Sequence, residues 1–304
     1  MKIATILTCY NRKTKTLSCL EHIYLAANKY NGAVSGENNK IEISVFLTDD
    51  GCTDGTAEDV TNYCQDKFPI TVVKGTGSLY WAGGMRLAWN EAMKHAMNWD
   101  YYLLMNDDTD IDENGFITLI DDEEYSKKKY EKLAAISGIT TDKNNRSKYT
   151  YGGRRFTNRF FGNSVELGYT GTPQECDLFN ANILLIPAVI VDSVGIFYKK
   201  YVHAHADGDY AQMVLRAGYP ALVSSKVCGY CEYDHLRDSD LASKICKMTI
   251  RKRRAYYNNP IHTYKDYLVF IRRTSPFRYP IVWCASKLLI YMPGVYYGFS
   301  RIIR

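Results

Sequence analysis

The chain predicts an α/β fold, a mostly parallel sheet flanked by helices, followed by a helical and basic C-terminal extension. Three observations carry this expectation. Over the first hundred residues four short apolar runs alternate with segments of helical periodicity, the pattern of βαβ units joined by right-handed crossovers. The last of these runs, Tyr101 to Met105, is apolar and aromatic throughout, as a strand buried on both faces requires, and it breaks abruptly into Asn106-Asp107-Asp108-Thr109-Asp110. A chain of 304 residues with 46% hydrophobic content can also bury a substantial core.

The elements follow in order. Lys2 to Leu7 reads as the first strand, leading through Thr8-Cys9-Tyr10-Asn11-Arg12 into a helix from Thr14 to Tyr30 with Leu17, Leu20, Ile23, Tyr24 and Ala27 on one face. Ile41 to Leu47 is a second strand ending at Asp49-Asp50, after which Asp54 is placed to cap a helix reaching about Asp66. Ile70 to Val73 is a short third strand. The glycine-rich loop from Lys74 to Gly84 enters a helix expected over Met85 to Met97, and the central strand follows. Beyond it come a helix over Glu113 to Tyr130, a strand at Leu133 to Ser137, and a stretch from Thr140 to Gly171 whose composition suits loops or a β-ribbon over the crevice. A buried segment returns at Asn182 to Val194, a helix opens near Asp207-Gly208-Asp209-Tyr210 and closes at Gly218, and Pro220 to Ser224 is one more strand.

Acids at the carboxyl end of a central strand stand where ligands bind in open α/β sheets. Carboxylates crowded there repel one another unless they share a cation, and an all-oxygen ligand set suits Mg²⁺ or Mn²⁺ bridging a substrate's phosphates. The plain alternative is a polar loop in which Asp108 or Asp110 caps the next helix. The glycine loop does not match a dinucleotide fingerprint or a P-loop, so Gly83 and Gly84 read equally as close backbone approach to a ligand or as helix entry. Asp207 and Asp209 read equally as helix-start residues or as site residues.

The net charge of +5 is uneven: from Lys244 onward thirteen Lys or Arg face one acid, Asp266, so the rest of the chain is net acidic. Such a tail points to an anionic substrate or surface, and nucleic acid is disfavoured because its aromatics cluster with aliphatics instead of alternating with basic residues. Ile281 to Met292 is too short to span a bilayer but long enough to lie in its interface, with packing on the rest of the protein as the alternative. No basic-then-apolar leader opens the chain, and nine irregularly spaced cysteines suit a reducing compartment; both place the protein in the cytoplasm, with the inner membrane face as a docking surface. Cys228 and Cys231, near His235 and Cys246, supply only half of a structural zinc spacing.

A strand ending at Asp50, a glycine-rich loop into a helix, Asn106-Asp107-Asp108 at a strand end and Asp207-Gly208-Asp209-Tyr210 opening a late helix occur in this order. That order resembles the family 2 glycosyltransferases with the GT-A (Rossmann-like) fold, most of all bacterial rhamnosyltransferase-like members that build surface polysaccharide. The resemblance covers roughly residues 1 to 235. It implies an inverting, metal-dependent transfer of a sugar from a UDP- or dTDP-linked donor to a hydroxyl of a glycan or lipid-linked acceptor. By it, Asp50 would hold the pyrimidine base, Thr8, Tyr10, Arg12, Gly83, Gly84 and Asp107 would line the donor, Asp108 and His235 would hold the metal, and Asp207 would be the general base. It also implies a nucleotide-binding half over about 1–112, an acceptor half over about 113–235 and an extension over 236–304. The family's acid-x-acid motif begins with Asp, whereas Asn106 stands here, so the second carboxylate falls to Asp107 or Asp110. A nucleotidyltransferase would open on a glycine-rich basic loop that the chain lacks. A phosphotransferase using Asp108-Thr109-Asp110 lacks an evident lysine partner in sequence, and a non-catalytic glycan-binding protein would not need three acidic strand or helix ends.

Overall fold

The computed structural model describes residues 1–95, 97–232 and 240–302. Its first half follows the expected alternation: β1 (Lys2–Cys9), α1 (Lys13–Ala33), β2 (Glu42–Asp49), α2 (Thr56–Cys64), β3 (Ile70–Lys74), α3 (Tyr80–Lys94) and β4 (Tyr101–Met105). Next come β5 (Thr109–Ile111), α4 (Gly115–Tyr130) and β6 (Ala135–Thr141). Where the sequence suits loops or a ribbon, β7 (Tyr149–Tyr151) pairs with β6, β8 (Gly153–Asn158) and β9 (Asn163–Leu167) form an antiparallel ribbon that short β11 (Leu178–Phe179) joins, and β10 (Gln174–Glu175) pairs with the last strand of the large sheet. The chain returns through β12 (Ile183–Pro187), α5 (Ala188–Val194), α6 (Ala206–Arg216) and β13 (Ala221–Cys231). The extension is helical: α7 (Leu241–Lys247), α8 (Ile250–Asn258), α9 (Tyr264–Thr274), α10 (Tyr279–Tyr291) and α11 (Pro293–Ile302).

The large sheet runs β10-β13-β6-β12-β4-β1-β2-β3. Strands β4, β1, β2 and β3 are parallel, as are β6 and β13, and β12 runs antiparallel between β4 and β6. Both faces are buried, because successive side chains of each strand point to opposite sides. Ile3, Val45 and Leu103 pack under α1, α2 and α4, whereas Ala4, Phe46 and Leu104 pack under α3, α5 and α6. Fully buried Trp89 of α3 anchors the second face against Tyr102, Phe197 and Tyr210.

Several boundaries differ from expectation, β6 for instance reaching Thr141 past the expected Ser137, and two have a clear physical cause. Helix α3 begins at Tyr80, ahead of the expected Met85, because the Val202 carbonyl accepts from the Ala82 and Gly83 N–H groups and so replaces the side-chain cap that the sequence lacks. Strand β13 continues past Ser224 to Cys231, bending through register irregularities between Val223 and Gly229 before pairing with β5.

The extension is joined to the body through α9, whose Phe270 and Ile271 lie in the same core as α3 and α6. Arg273 pairs with the buried carboxylate of Asp209 at 2.7 Å, fixing α9 to α6. Among the described residues no helix is long and apolar enough to cross a membrane.

Candidate active site

Parallel pairing brings the carboxyl ends of β1, β2 and β4 to one edge of the sheet, with Thr8 opposite Thr48 and Cys9 opposite Asp49. The Asn106-Asp107-Asp108 turn leaves β4 at this edge. Arg12, in the loop after β1, sets its Nη1 2.6 Å from Asp108 Oδ2 and 3.5 Å from Asp107 Oδ1. The two carboxylates therefore face a single cationic position. Burial pushes Asp107 up to about 6, opposed by the Arg12 charge and by a hydrogen bond from Thr16. Asp110 lies apart on β5, held by Lys143 at 2.6 Å and by Ser18. Of the two acids open to sequence reading, Asp107 is thus the one that shares a cation with Asp108. Lys143 is the lysine partner of Asp110 that the sequence did not reveal.

Asn106, which departs from the acidic motif, accepts from Trp81 Nε1 at 2.7 Å and so ties the start of α3 to the turn. Asp50 is only 5% exposed, and both its oxygens are committed: Oδ1 accepts from the Gly77 N–H at 2.8 Å, Oδ2 from those of Leu79 and Tyr80 at 2.9 and 3.0 Å. It acts here as a clamp on the glycine loop. Gly83 and Gly84 lie inside α3, and a Cβ on Gly84 would come within 2.1 Å of Thr8 Oγ1, so helix packing on β1 accounts for that glycine. Tyr10 is 58% exposed beside the crevice.

Asp207 opens α6 on the other side. Its carboxylate accepts from the Gly208 N–H at 2.8 Å, and from Asn180 Nδ2 and the Ala181 N–H at 3.4 Å each; desolvation raises its pKa against these bonds. The same short segment reaches the acid turn, because the Asn182 carbonyl accepts from the Asn106 N–H and Asn182 Nδ2 donates to Thr109 Oγ1, both at 3.3 Å. Three consecutive residues therefore contact Asp207 at one end and, at the other, the Asn106 backbone and the Thr109 hydroxyl that flank Asp107 and Asp108, a span of roughly 10 Å. Asp207 lines a cavity of about 260 Å³ between the ribbon and α9, with His205, Tyr267, Phe270 and Arg278 around it. Burial holds His205 down at about 4, so its imidazole is neutral. The turn carrying both histidines is held by Asp266 of α9, whose carboxylate accepts from the Val202, His203 and Ala204 N–H groups.

Trp81, Asn180, Asn182 and Asp266 escaped sequence reading because each acts through a distant backbone or side-chain partner. The one available signal was the polar pair Asn180 and Asn182 at the entrance of an otherwise apolar run. His235 lies outside the described residues. Cys228 and Cys231 do not form a ligand pair: Cys228 is enclosed in the core, whereas Cys231 turns toward Asn182 and Asp108.

No protein-family model and no curated protein matches the sequence. Solved structures do match the fold. The mannosyltransferase PcManGT from Pyrobaculum calidifontis, in complex with GDP-Man and Mn²⁺, is 15% identical with a TM-score of 0.52, covering 97% of this chain and 71% of that one. Residues 1–349 of S. aureus TarS, in complex with UDP-GlcNAc, are 16% identical with a TM-score of 0.50, covering 91% of this chain and 73% of the other. The shared feature is the fold, the mostly parallel sheet between helices that the sequence predicts.

Proposed function

We propose that the protein is an inverting glycosyltransferase of the family 2 type, moving a sugar from a UDP- or dTDP-linked donor to a hydroxyl of a glycan or lipid-linked acceptor in polysaccharide biosynthesis. The observation that carries this reading is the Asn180-Ala181-Asn182 span, which runs from a carboxylate of raised pKa, Asp207, to the turn that bears Asp107 and Asp108, bonding Asn106 and Thr109 on either side of them. The fold shared with two proteins solved with nucleotide sugars supports it.

Asp107 and Asp108 supply hard oxygen donors around a position that the Arg12 guanidinium now faces, a set that fits Mg²⁺ or Mn²⁺. Such a cation would neutralise the leaving diphosphate. Arg12, freed from the acids, is placed to hold a phosphate oxygen, while Thr8 and Tyr10 line the nucleotide from the β1 side. In a single displacement the acceptor hydroxyl attacks the anomeric carbon, its proton passes to Asp207, and the bond to the nucleoside diphosphate breaks. The raised pKa of Asp207 makes it the better base, and the positioned carboxylate contributes about 10²–10⁴-fold. Because the leaving group is already good, no general acid is needed.

In this reading residues 1–112 carry the donor, 113–235 the acceptor, and 236–304 support the acceptor side. The basic, aromatic extension docks on an anionic membrane surface, where a lipid-linked acceptor resides; exposed Ile281 and Trp283 on α10 suit the interface. The test is a panel of nucleotide sugars with Mn²⁺ and glycan or lipid-diphosphate acceptors, read by mass spectrometry. Transfer from one UDP- or dTDP-sugar is expected. Phosphate release from a simple monoester without any nucleoside diphosphate release would replace the reading with a phosphotransferase.

A further inference from the structure

We infer that Cys9, Cys52 and Asp49 form a binding site for one zinc-class divalent cation, separate from the Asp107–Asp108 pair and different from it in ligand chemistry. Cys9 and Asp49 are partners on the last rung of the β1–β2 ladder, so their side chains leave the sheet side by side. Gly51, at φ +89°, turns the chain back and delivers Cys52 to the same point. The Cys9 and Cys52 sulfurs stand 3.7 Å apart, and a donor atom from each of the three residues lies within 4.8 Å of the others. Two sulfurs bound at about 2.3 Å to one tetrahedral zinc are separated by about 3.8 Å, so the pair is already spaced for the ion.

The surroundings support the ligands as well. The Asn11 N–H donates to Cys52 Sγ at 3.2 Å, a bond that strengthens when the sulfur becomes a thiolate, and Asp49 Oδ1 accepts from the Cys52 N–H at 2.7 Å, fixing the loop. Asn11 Oδ1 holds the same loop by accepting from the Thr53 N–H. Cys9 is buried, but Cys52 is partly exposed, which gives the cation a route in and leaves room for a fourth, solvent ligand. Two thiolates and one carboxylate favour a borderline-soft ion over Mg²⁺ or Mn²⁺. On binding, each thiol releases its proton to solvent as its sulfur bonds the metal. The ion then ties the end of β1 to the loop after β2.

The experiment strips the full chain with chelator under reductant, reloads it with Zn²⁺ in excess Mg²⁺, desalts it and counts metal per chain. We expect about one zinc in the wild type, in Asp108→Asn, and in Cys246→Ser/Cys284→Ser, which removes the two exposed thiols. Cys9→Ser and Cys52→Ser should each lose it, and Asp49→Asn should retain less. Circular dichroism of each variant verifies folding. Cadmium loading gives an independent readout, with a thiolate charge-transfer band sized for two sulfurs in the wild type and halved or less in Cys52→Ser. The inference fails if folded Cys52→Ser keeps the zinc, if Asp108→Asn loses it, or if the wild type desalts to no more than the Cys52→Ser level. Recovery of Cys9 and Cys52 as a disulfide under the reducing conditions of loading would equally overturn it.

Discussion

Replacing Asp50 with Asn separates two roles for the acid that ends the β2 segment. The carboxylate receives three N–H groups from residues 77 to 80 while almost wholly removed from water. An amide offers a single oxygen, so at least one of these donors, and two in the unflipped orientation, must face an NH₂ group. Charge-assisted hydrogen bonds contribute about 1.5–3 kcal/mol each, so the loss should be about 2–5 kcal/mol. At about 2–4 °C per kcal/mol for chains somewhat shorter than this one, Tm should fall by about 4–20 °C. Thermal unfolding followed by circular dichroism measures this, and calorimetric titration with UDP and dTDP measures the other role. Were Asp50 chiefly a contact to the base, Asp50→Asn would unfold within about 1 °C of the wild type and lose nucleotide affinity alone. That result would refute the clamp.

Asp207→Asn should lower turnover by about 10²–10⁴-fold with donor KM little changed, since a base acts only in the transition state; a matching loss in donor binding would make it a donor contact. Gly84→Ala should destabilise by about 1–3 kcal/mol through the clash with Thr8, measured by urea unfolding and partly relieved by adding Thr8→Ala. Burial raises Glu123 from 4.5 to about 7, so the folded protein holds this proton more tightly than the unfolded chain. Its contribution is present below pH 4.5 and is lost as pH rises through 7. Glu123→Gln should therefore leave stability near pH 4 unchanged and raise it at pH 8 by about 3 kcal/mol; equal stability of the two proteins at pH 8 would contradict the shift.

The first half of the fold was legible because β1, β2 and β4 are short apolar runs alternating with helical periodicity, and the acids that follow β2 and β4 mark the sheet edge toward which these strands run. The positions of Asp107 and Asp108 at a strand end were legible for the same reason, and that of Asp207 because it stands in a polar run that opens a helix. What sequence could not supply were relations across long separations. The Asp50 clamp joins residues about thirty apart, the Arg273–Asp209 pair joins residues 64 apart, and Asp266 holds a turn more than sixty residues upstream. The basic extension shows the limit most clearly. Its charges suggested a surface, but Asp266, Phe270 and Ile271 face inward, because α9 completes the core that α6 leaves open. Periodicity alone does not say against what a helix is buried.

The most direct test of the account is calorimetric binding of UDP and dTDP to the wild type, Asp108→Asn and Asp207→Asn, each with Mn²⁺ and with chelator. Binding of at least one nucleotide by the wild type and Asp207→Asn is expected only when Mn²⁺ is present, and none by Asp108→Asn. Binding that persists in chelator, or that Asp108→Asn retains undiminished, would contradict a diphosphate held through a metal at the β4 edge.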